Sequence, residues 1–332
     1  MLLPEPPKKS GAQRMRVYLA YHNPIWRAAL PARRIVRDAH SGSSPATPAK
    51  GHNVPTAEQR DLQRAIITEL GVAEHFDAAR EAERRIEFLA DYLERTGARA
   101  LVLGISGGVD SLVGGCLSQR AVERVRSRGG NAVFIAMRLP YGEQRDEQDA
   151  QAALSVINAD QLVTVNVKPA SDAMLEALLA GQVQFRDAAQ QDFLLGNIKA
   201  RQRMIAQYAV AGAHGGLVVG TDHAAEALMG FFTKHGDGAA DVTPLAGLNK
   251  RRVRAVATCL GATEAMAMKI PTADLETLAP LKPDEHAFGV TYDVIDDFLE
   301  GKDVADEALE VILRIHRNSA HKRALPVAPA AS

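Results

Sequence analysis

The sequence predicts an α/β fold, a parallel twisted sheet with helices on both faces, and three observations carry that expectation. Four apolar runs recur along the chain, at Ala100–Ile105, Ala132–Met137, Leu162–Val167 and Gly216–Gly220. Each is near-continuous and not alternating, which is how a strand buried on both faces reads. The segments between them are long enough for helical crossovers, the connection that parallel strands require. Ligands on such sheets bind beyond the carboxyl ends of the strands, so the residues just after each run are where chemistry is expected.

The first 55 residues stand apart in composition. They hold Pro4, Pro6, Pro7, Gly11 and the cluster Ser41-Gly-Ser-Ser-Pro45, with nine Lys and Arg against two acids, Glu5 and Asp38. An arginine-rich, acid-poor start superficially matches a transit peptide. Trp26, Ala28, Ala29 and Leu30 make no sustained amphipathic face, so residues 1–55 are expected to be a disordered extension, either a solvated tail or a start placed too far upstream. Residues 56–332 then read as one globular domain, large enough to bury a substantial core.

Charge and cysteine content exclude several classes. The whole chain carries a net charge of -1, and removing the basic extension leaves thirty basic against thirty-eight acidic residues. Such a body is mildly acidic and offers no reason to expect nucleic acid as a partner. Cys116 and Cys259 make no metal-site spacing and no disulfide framework, which suits a reducing cytoplasm. With apolar neighbours, both are expected as buried thiols. No run of eighteen apolar residues is present, so no membrane span is expected, and no secretory signal is apparent.

Taken in order, the domain opens on Thr56, a plausible N-cap, followed by helical segments at Glu58–Leu70 and Asp77–Arg95. In the second, Ile86, Leu89, Ala90 and Leu93 share one face, and Gly97 ends it. The first apolar run leads into Gly104-Ile-Ser-Gly-Gly-Val-Asp-Ser111, and a helical segment, Leu112–Val125, follows. Gly107 and Gly108 allow a turn in which successive N–H groups face an anion already favoured by a helix N-terminus. Ser106 and Ser111 add hydroxyls, and Asp110 supplies the hard oxygen that a magnesium ion needs. The lysine and longer glycine spacing of a Walker A loop are missing. Read alone, the stretch is either a phosphate loop or an ordinary glycine-rich turn.

After the second run, Arg138-Leu-Pro-Tyr-Gly-Glu-Gln144 places Arg138 and Gln144 where they can hold an adenine, a ribose or a phosphate, or merely form a surface turn. The stretch Asp192–Tyr208 reads as one helix or two, with Lys199, Arg201 and Arg203 beside Phe193 and Tyr208. That mixture suits an aromatic ring bearing phosphates, although basic residues on a helix are more often a solvated face.

Leaving the fourth run, Gly220–Asp241 places Thr221 on the edge that Ser106 faces. Asp222 can cap a helix in which Glu226, one turn on, points back toward a magnesium held by Asp110. His223 invites a zinc reading, but no second histidine or cysteine stands at ligand spacing. Lys234, Gly236, Asp237, Gly238 and Asp241 form a polar loop of the kind that binds or covers a ligand, or that simply moves at a surface. Lys250, Thr272, His321 and Lys322 are unremarkable in isolation.

In combination these stretches are more specific. Ser106-Gly-Gly-Val-Asp-Ser111 resembles the pyrophosphate loop of the N-type ATP pyrophosphatases, an adenine nucleotide alpha hydrolase-like, Rossmann-like superfamily. Arg138-Leu-Pro-Tyr-Gly142, Gly196-Asn-x-Lys-Ala-Arg201, Gly220-Thr-Asp-His-Ala-Ala-Glu226, Gly230-Phe-Phe-Thr-Lys234, Pro271-Thr-Ala-Asp-Leu275 and His321-Lys-Arg323 follow in one order. The series, from about Ala57 to Pro326, resembles the ammonia-dependent NAD synthetases.

That resemblance implies the last step of NAD biosynthesis: deamido-NAD (nicotinic acid adenine dinucleotide), ATP and ammonia give NAD, AMP and pyrophosphate through an adenylated intermediate. It implies ATP contacts at Gly104, Ile105, Ser106, Gly107, Gly108, Val109, Asp110, Ser111, Thr221, Lys250 and Thr272, with Arg138 and Gln144 near the nucleoside. Magnesium would rest on Asp110 and Glu226. Deamido-NAD would meet Phe193, Arg201, Tyr208, Phe231, Lys234, Asp241, His321 and Lys322. The family implies a homodimer with the dinucleotide near the subunit boundary. Asp110 and Lys250 are the expected catalytic pair, and Asp237 is the expected carboxylate for binding and deprotonating ammonium. Val109 departs from the glutamine common in the family loop, and Met229 stands where threonine is frequent. Other members of the superfamily, such as guanylate, asparagine or tRNA-thiolating enzymes, share only the first loop, and a non-catalytic nucleotide-binding protein needs no second metal carboxylate.

Overall fold

The computed structural model describes residues 56–142, 147–273, 275, 278 and 282–329. The expected extension at 1–55 and Gln144 lie outside the described residues, as does the side chain of Thr272.

Helix α1 (Ala57–Glu69) begins on a capping box in which Thr56 and Gln59 each accept the other's backbone N–H, and α2 (Ala78–Thr96) runs from the Asp77 cap to Gly97 in the left-handed conformation. Strand β1 (Ala100–Gly104), α3 (Val109–Ser127), β2 (Val133–Arg138), α4 (Glu147–Ile157), β3 (Gln161–Thr164), α5 (Lys168–Ala180), α6 (Ala188–His214) and β4 (Leu217–Val218) follow. The four strands form one sheet in the order β3-β2-β1-β4, with every neighbouring pair parallel.

The near-continuous apolar runs are explained by where alternate residues go. Leu101, Leu103, Phe134 and Ala136 enter a core with α2 and α3, whereas Ala100, Val102, Ile135, Met137 and Val218 face the opposite layer with α6. Both sets are buried, so no polar residue is tolerated on either face. Each fully buried Leu, Ile or Phe contributes roughly 1.5–3 kcal/mol of transfer free energy, offset by the entropy of ordering the chain. Helix α6 is one continuous element capped by Asp187 and ended by Gly215, and not two.

The fourth strand is shorter than its apolar run. Asp241 accepts the N–H of Val218 through a carboxylate oxygen at 2.7 Å, and beyond it Val219 makes an isolated parallel bridge to Val242. The third is shifted: Leu162 is half exposed, because β3 is the edge of the sheet.

The remaining elements are α7 (Ala224–Met229), α8 (Lys250–Cys259), α9 (Glu264–Ala267), β5 (Thr272–Ala273), β6 (Lys282–Pro283), α10 (Asp284–Phe288), α11 (Tyr292–Leu299), α12 (Asp306–Asn318) and α13 (Ala320–Arg323). Helix α8 joins the α2–α3 layer through Val253, Val256 and Ala257. A further core gathers Ile66 of α1, Leu228 of α7, Phe298 of α11 and Ile312 of α12. Strands β5 and β6 pair antiparallel as a small separate ribbon. Cys116 is buried, and its burial raises the thiol to about 11, but Cys259 is exposed, contrary to expectation. It is the last residue of α8, at the margin of the buried face, where the helix end meets solvent. Among the described residues no helix is long and apolar enough to cross a membrane.

Candidate active site

The carboxyl ends of β1, β2 and β4 open into one cavity of about 460 Å³, walled also by α6, the loop after α7 and the segment that carries β5 and β6. At its base β1 ends on Gly104, whose N–H donates to Gln207 Oε1 of α6 at 2.8 Å, and Ile105 N–H continues the sheet to Met137 O. The chain then turns at Gly107, where φ is +86°, and a Cβ there would lie 2.7 Å from the backbone nitrogen of Ala150. Glycine is required on both counts. Gly108 caps α3 with no side chain. Ser111 Oγ donates to Gly108 O at 3.1 Å and accepts the Ser106 N–H at 3.2 Å, so the hydroxyl contact between Ser106 and Ser111 has Ser106 as its donor.

Three helix N-termini converge on this loop. Asp110 lies in the first turn of α3, Glu226 in that of α7, and Lys250 opens α8. Lys250 has no exposed surface, and its Nζ lies 2.8 and 3.0 Å from the two carboxylate oxygens of Asp110. Asp296 holds the start of α8 by accepting the N–H groups of Lys250 and Arg251. Contrary to the expected Asp222 cap, His223 is the N-cap of α7, with Nδ1 accepting Glu226 N–H at 3.4 Å. Its Nε2 lies 3.2 Å from Lys250 Nζ and 3.5 Å from oxygens of both Asp110 and Glu226. The side chains of Asp110, His223 and Glu226 each bring a ligand atom within 4.8 Å of the others.

Electrostatics divide these groups sharply. Burial alone would raise Asp110, but the Lys250 ammonium and its neighbours hold it below the usual carboxylate range. The same pairing outweighs burial for Lys250 and keeps it charged. Burial and the nearby ammonium depress His223 to about 3, so its ring is neutral. Glu226 is raised well above a normal glutamate by burial and by the Asp110 charge. Asp222, enclosed and facing Asp237 and Asp110, is pushed up to about 7. Asp237 is exposed and faces the cavity, and the protein around its carboxyl raises it even though Thr233 N–H donates to it at 3.0 Å.

Of the residues expected from sequence, the cavity wall includes Gly104, Ile105, Ser106, Gly108, Val109, Asp110, Ser111, Arg138, Thr221 and Glu226, together with Phe193, Phe231, Asp237 and Lys322. Arg138 is buried and donates to Ile105 O and, at 2.8 Å, to Glu147, so it braces the loop as well as lining the wall. Lys322 reaches in from α13 and donates to Gly230 O and Phe232 O, both at 2.8 Å. Gly107 backs onto α4 and is off the wall, and Lys250 stands behind Asp110. Arg201, Tyr208, Lys234, Asp241 and His321 do not line the cavity and fall into two sets of contacts. Arg201 donates to Lys234 O at 3.2 Å, Lys234 donates to His321 O, and Tyr208 OH meets Asp241 at 3.5 Å.

Sequence reasoning passed over Gln207, Lys269 and Asp284, all on the wall. Asp284 is buried, with one oxygen taking the Tyr292 hydroxyl at 3.1 Å and the other without a partner among the described residues. Lys199 is not on a solvated face. It is buried, with Nζ donating to Leu275 O at 2.9 Å and 4.1 Å from the Tyr141 ring centre.

Comparison with known proteins places the chain. A family model described as NAD synthase matches residues 81–326. An NH(3)-dependent NAD(+) synthetase of Streptomyces coelicolor is 67% identical over 268 residues, which is 81% of this chain and 97% of that protein. Among solved structures, NAD+ synthetase from Burkholderia pseudomallei is 60% identical with a TM-score of 0.71, covering 83% of this chain and 100% of the other. NMN synthetase from Francisella tularensis is 34% identical with a TM-score of 0.67, covering 77% and 99%.

Proposed function

Because the chain belongs to the NAD synthase family, we propose that it converts nicotinic acid adenine dinucleotide, ATP and ammonia into NAD, AMP and pyrophosphate. The observation that carries this reading is the buried Asp110–Lys250 pair with Glu226 beside it, set at the mouth of a glycine loop and in the first turns of three helices.

A carboxylate does not exchange its oxygen for nitrogen unaided, because oxide is a poor leaving group. The nicotinate oxygen therefore attacks the α-phosphorus of ATP, and the bond to pyrophosphate breaks with its electron pair. Two anions must meet for that to happen. The glycine loop, the hydroxyls of Ser106 and Ser111 and the positive ends of α3, α7 and α8 offer charge where it develops on the leaving group. Lys250 neutralises Asp110 and fixes its carboxylate in place.

The donor set fits a magnesium ion. Asp110 and Glu226 supply hard oxygens, and a divalent cation would offset the repulsion that now raises Glu226. His223 is neutral, with Nδ1 on the backbone of α7 and Nε2 against Lys250, so it acts as a cap and spacer and not as a zinc ligand. Bound there, the ion would supply positive charge to the phosphate oxygens. Ammonia then attacks the adenylated carboxyl, and AMP leaves. At neutral pH ammonia is mostly ammonium, and Asp237, a carboxyl on the cavity wall that is raised from its ordinary value, is suited to bind it and take its proton.

The dinucleotide would lie between Phe193 and Phe231 on the wall and the group of Arg201, Tyr208, Lys234, Asp241, His321 and Lys322. Leu194 and Ile205, exposed on α6, favour a second copy of the chain near that group, in a cytoplasmic homodimer. Incubation with ATP, ammonium and nicotinic acid adenine dinucleotide, with nicotinic acid mononucleotide in a parallel arm, should give NAD, AMP and pyrophosphate by chromatography. Amidation of the mononucleotide alone would move the substrate, and no amidation of either would sink the reading.

A further inference from the structure

Most cations at the cavity are committed to protein partners. Lys250 is held by both oxygens of Asp110, Arg138 by Ile105 O and Glu147, and Lys322 by two backbone carbonyls. Lys269 is held less firmly. It precedes β5 and lies at the mouth of the glycine loop, with Nζ 3.2 Å from Gly107 O and 2.7 Å from Asp149 Oδ2. It lines the main cavity and also a groove of about 290 Å³ on the far side of the loop.

We propose that Lys269 binds the outer phosphates of ATP, exchanging Asp149 for them, and stays with the pyrophosphate as it leaves. This rests on the amidation reading above and names a residue which that reading does not use. Two physical arguments carry it. The Asp149 side chain is 54% exposed and that of Lys269 28% exposed, and an ion pair so open to solvent shifts an equilibrium by roughly fivefold at most. A polyphosphate offers several charges in an enclosed cavity, so the exchange is downhill. The second argument concerns the loop. A trans peptide points its C=O and N–H in opposite directions, so a lysine on Gly107 O aims the Gly108 N–H away from itself and into the loop, where it now meets Ser106 Oγ at 3.3 Å. One ammonium therefore orients an anion-binding N–H and carries charge to the same anion. In the transfer, the nicotinate oxygen bonds to the α-phosphorus, and the bond to the β-phosphate oxygen breaks with its electron pair. The added negative charge appears on the group beside Lys269, and no proton need move.

The test compares wild type, Lys269→Gln, Lys269→Arg and Asp149→Asn by titration calorimetry with magnesium pyrophosphate and with AMP, alongside the KM for ATP. Lys269→Gln should weaken pyrophosphate about tenfold or more while AMP changes less than about twofold. Lys269→Arg should recover most of that loss. Asp149→Asn frees the lysine and should leave the KM for ATP unchanged or lower. If Asp149→Asn instead reproduces Lys269→Gln, or if AMP and pyrophosphate weaken together, the lysine is only a clip between loop and helix. Pyrophosphate binding unaffected by Lys269→Gln overturns the proposal while leaving the amidation intact. A wild-type protein that binds neither AMP nor pyrophosphate overturns both.

Discussion

Replacing Lys250 by Met tests the electrostatic centre of the site without reference to any substrate. Methionine fills much of the lysine's volume, so the change removes chiefly the ammonium between the two oxygens of Asp110, 2.8 and 3.0 Å away. The Asp110 side chain keeps only 20% of its surface exposed, and the replaced residue none, so water cannot readily take the lost partner's place. Breaking a buried pair by deleting one partner costs about 3–5 kcal/mol, mostly as the penalty of the stranded charge. Against a typical stability of about 5–15 kcal/mol the variant still folds, but its melting temperature should drop by roughly 6–20 °C. Without the ammonium, burial raises the Asp110 carboxyl, so the folded variant binds a proton more readily than the unfolded chain. Its deficit should therefore shrink as pH falls. Urea denaturation at pH 8 and pH 5 measures both quantities, and adding Asp110→Asn to the variant should recover a large part of the loss. A deficit under about 1 kcal/mol at pH 8, or a double variant no more stable than the single one, would refute the reasoning.

Asp222→Asn and Gly107→Ala probe the walls around that centre. The Asp222 carboxyl is raised from 3.8 to about 7, so the folded state holds an extra proton between those values, and stability declines as pH rises across them. The amide does not titrate, so Asp222→Asn should gain on wild type from about pH 4 to about pH 7, by as much as about 4 kcal/mol, then level off; equal pH profiles would remove the carboxyl from consideration. At Gly107, with φ of +86° and the Ala150 nitrogen 2.7 Å from any Cβ, alanine should cost about 1–3 kcal/mol in urea denaturation and weaken pyrophosphate. Wild-type stability and binding in that variant would show that the loop tolerates another path.

What could be read from sequence follows from what leaves a repeating or glycine signature. Strands buried on both faces wrote themselves as apolar runs, and caps at Thr56, Asp77 and Gly97 marked helix ends to within a residue. The glycine loop was visible because its backbone conformation admits few residues. Strand β4 was overestimated because nothing in Leu217–Gly220 announces that a side chain, Asp241, takes over the ladder. Strands β5 and β6, two residues each, are too short to carry any period. Asp222 was the better cap by type, yet His223 has the extended backbone that the cap position needs. Lys269 and Asp284 each sit near a proline in a segment that reads as turn, and only the folding of that segment over the loop brings them to the cavity. Cys259 was misplaced because it stands at the margin of the buried face at the end of α8, and apolar neighbours in sequence do not mark where a helix end meets solvent.

The last helix bears on when the protein becomes competent. Lys322 reaches from α13 to the carbonyls of Gly230 and Phe232, just after α7, and Arg323 to that of Ala227 within α7, fastening that helix and the stretch that leaves it. A ribosome that has just released α11 has made strands β1–β6, the glycine loop, all three converging helix starts and Arg201, which holds Lys234 O, but not the α13 ties from Lys322 and Arg323. Nascent chains stalled at that length therefore carry a phosphate cradle whose rim lacks its α13 ties, and completion of the working pocket waits for that helix.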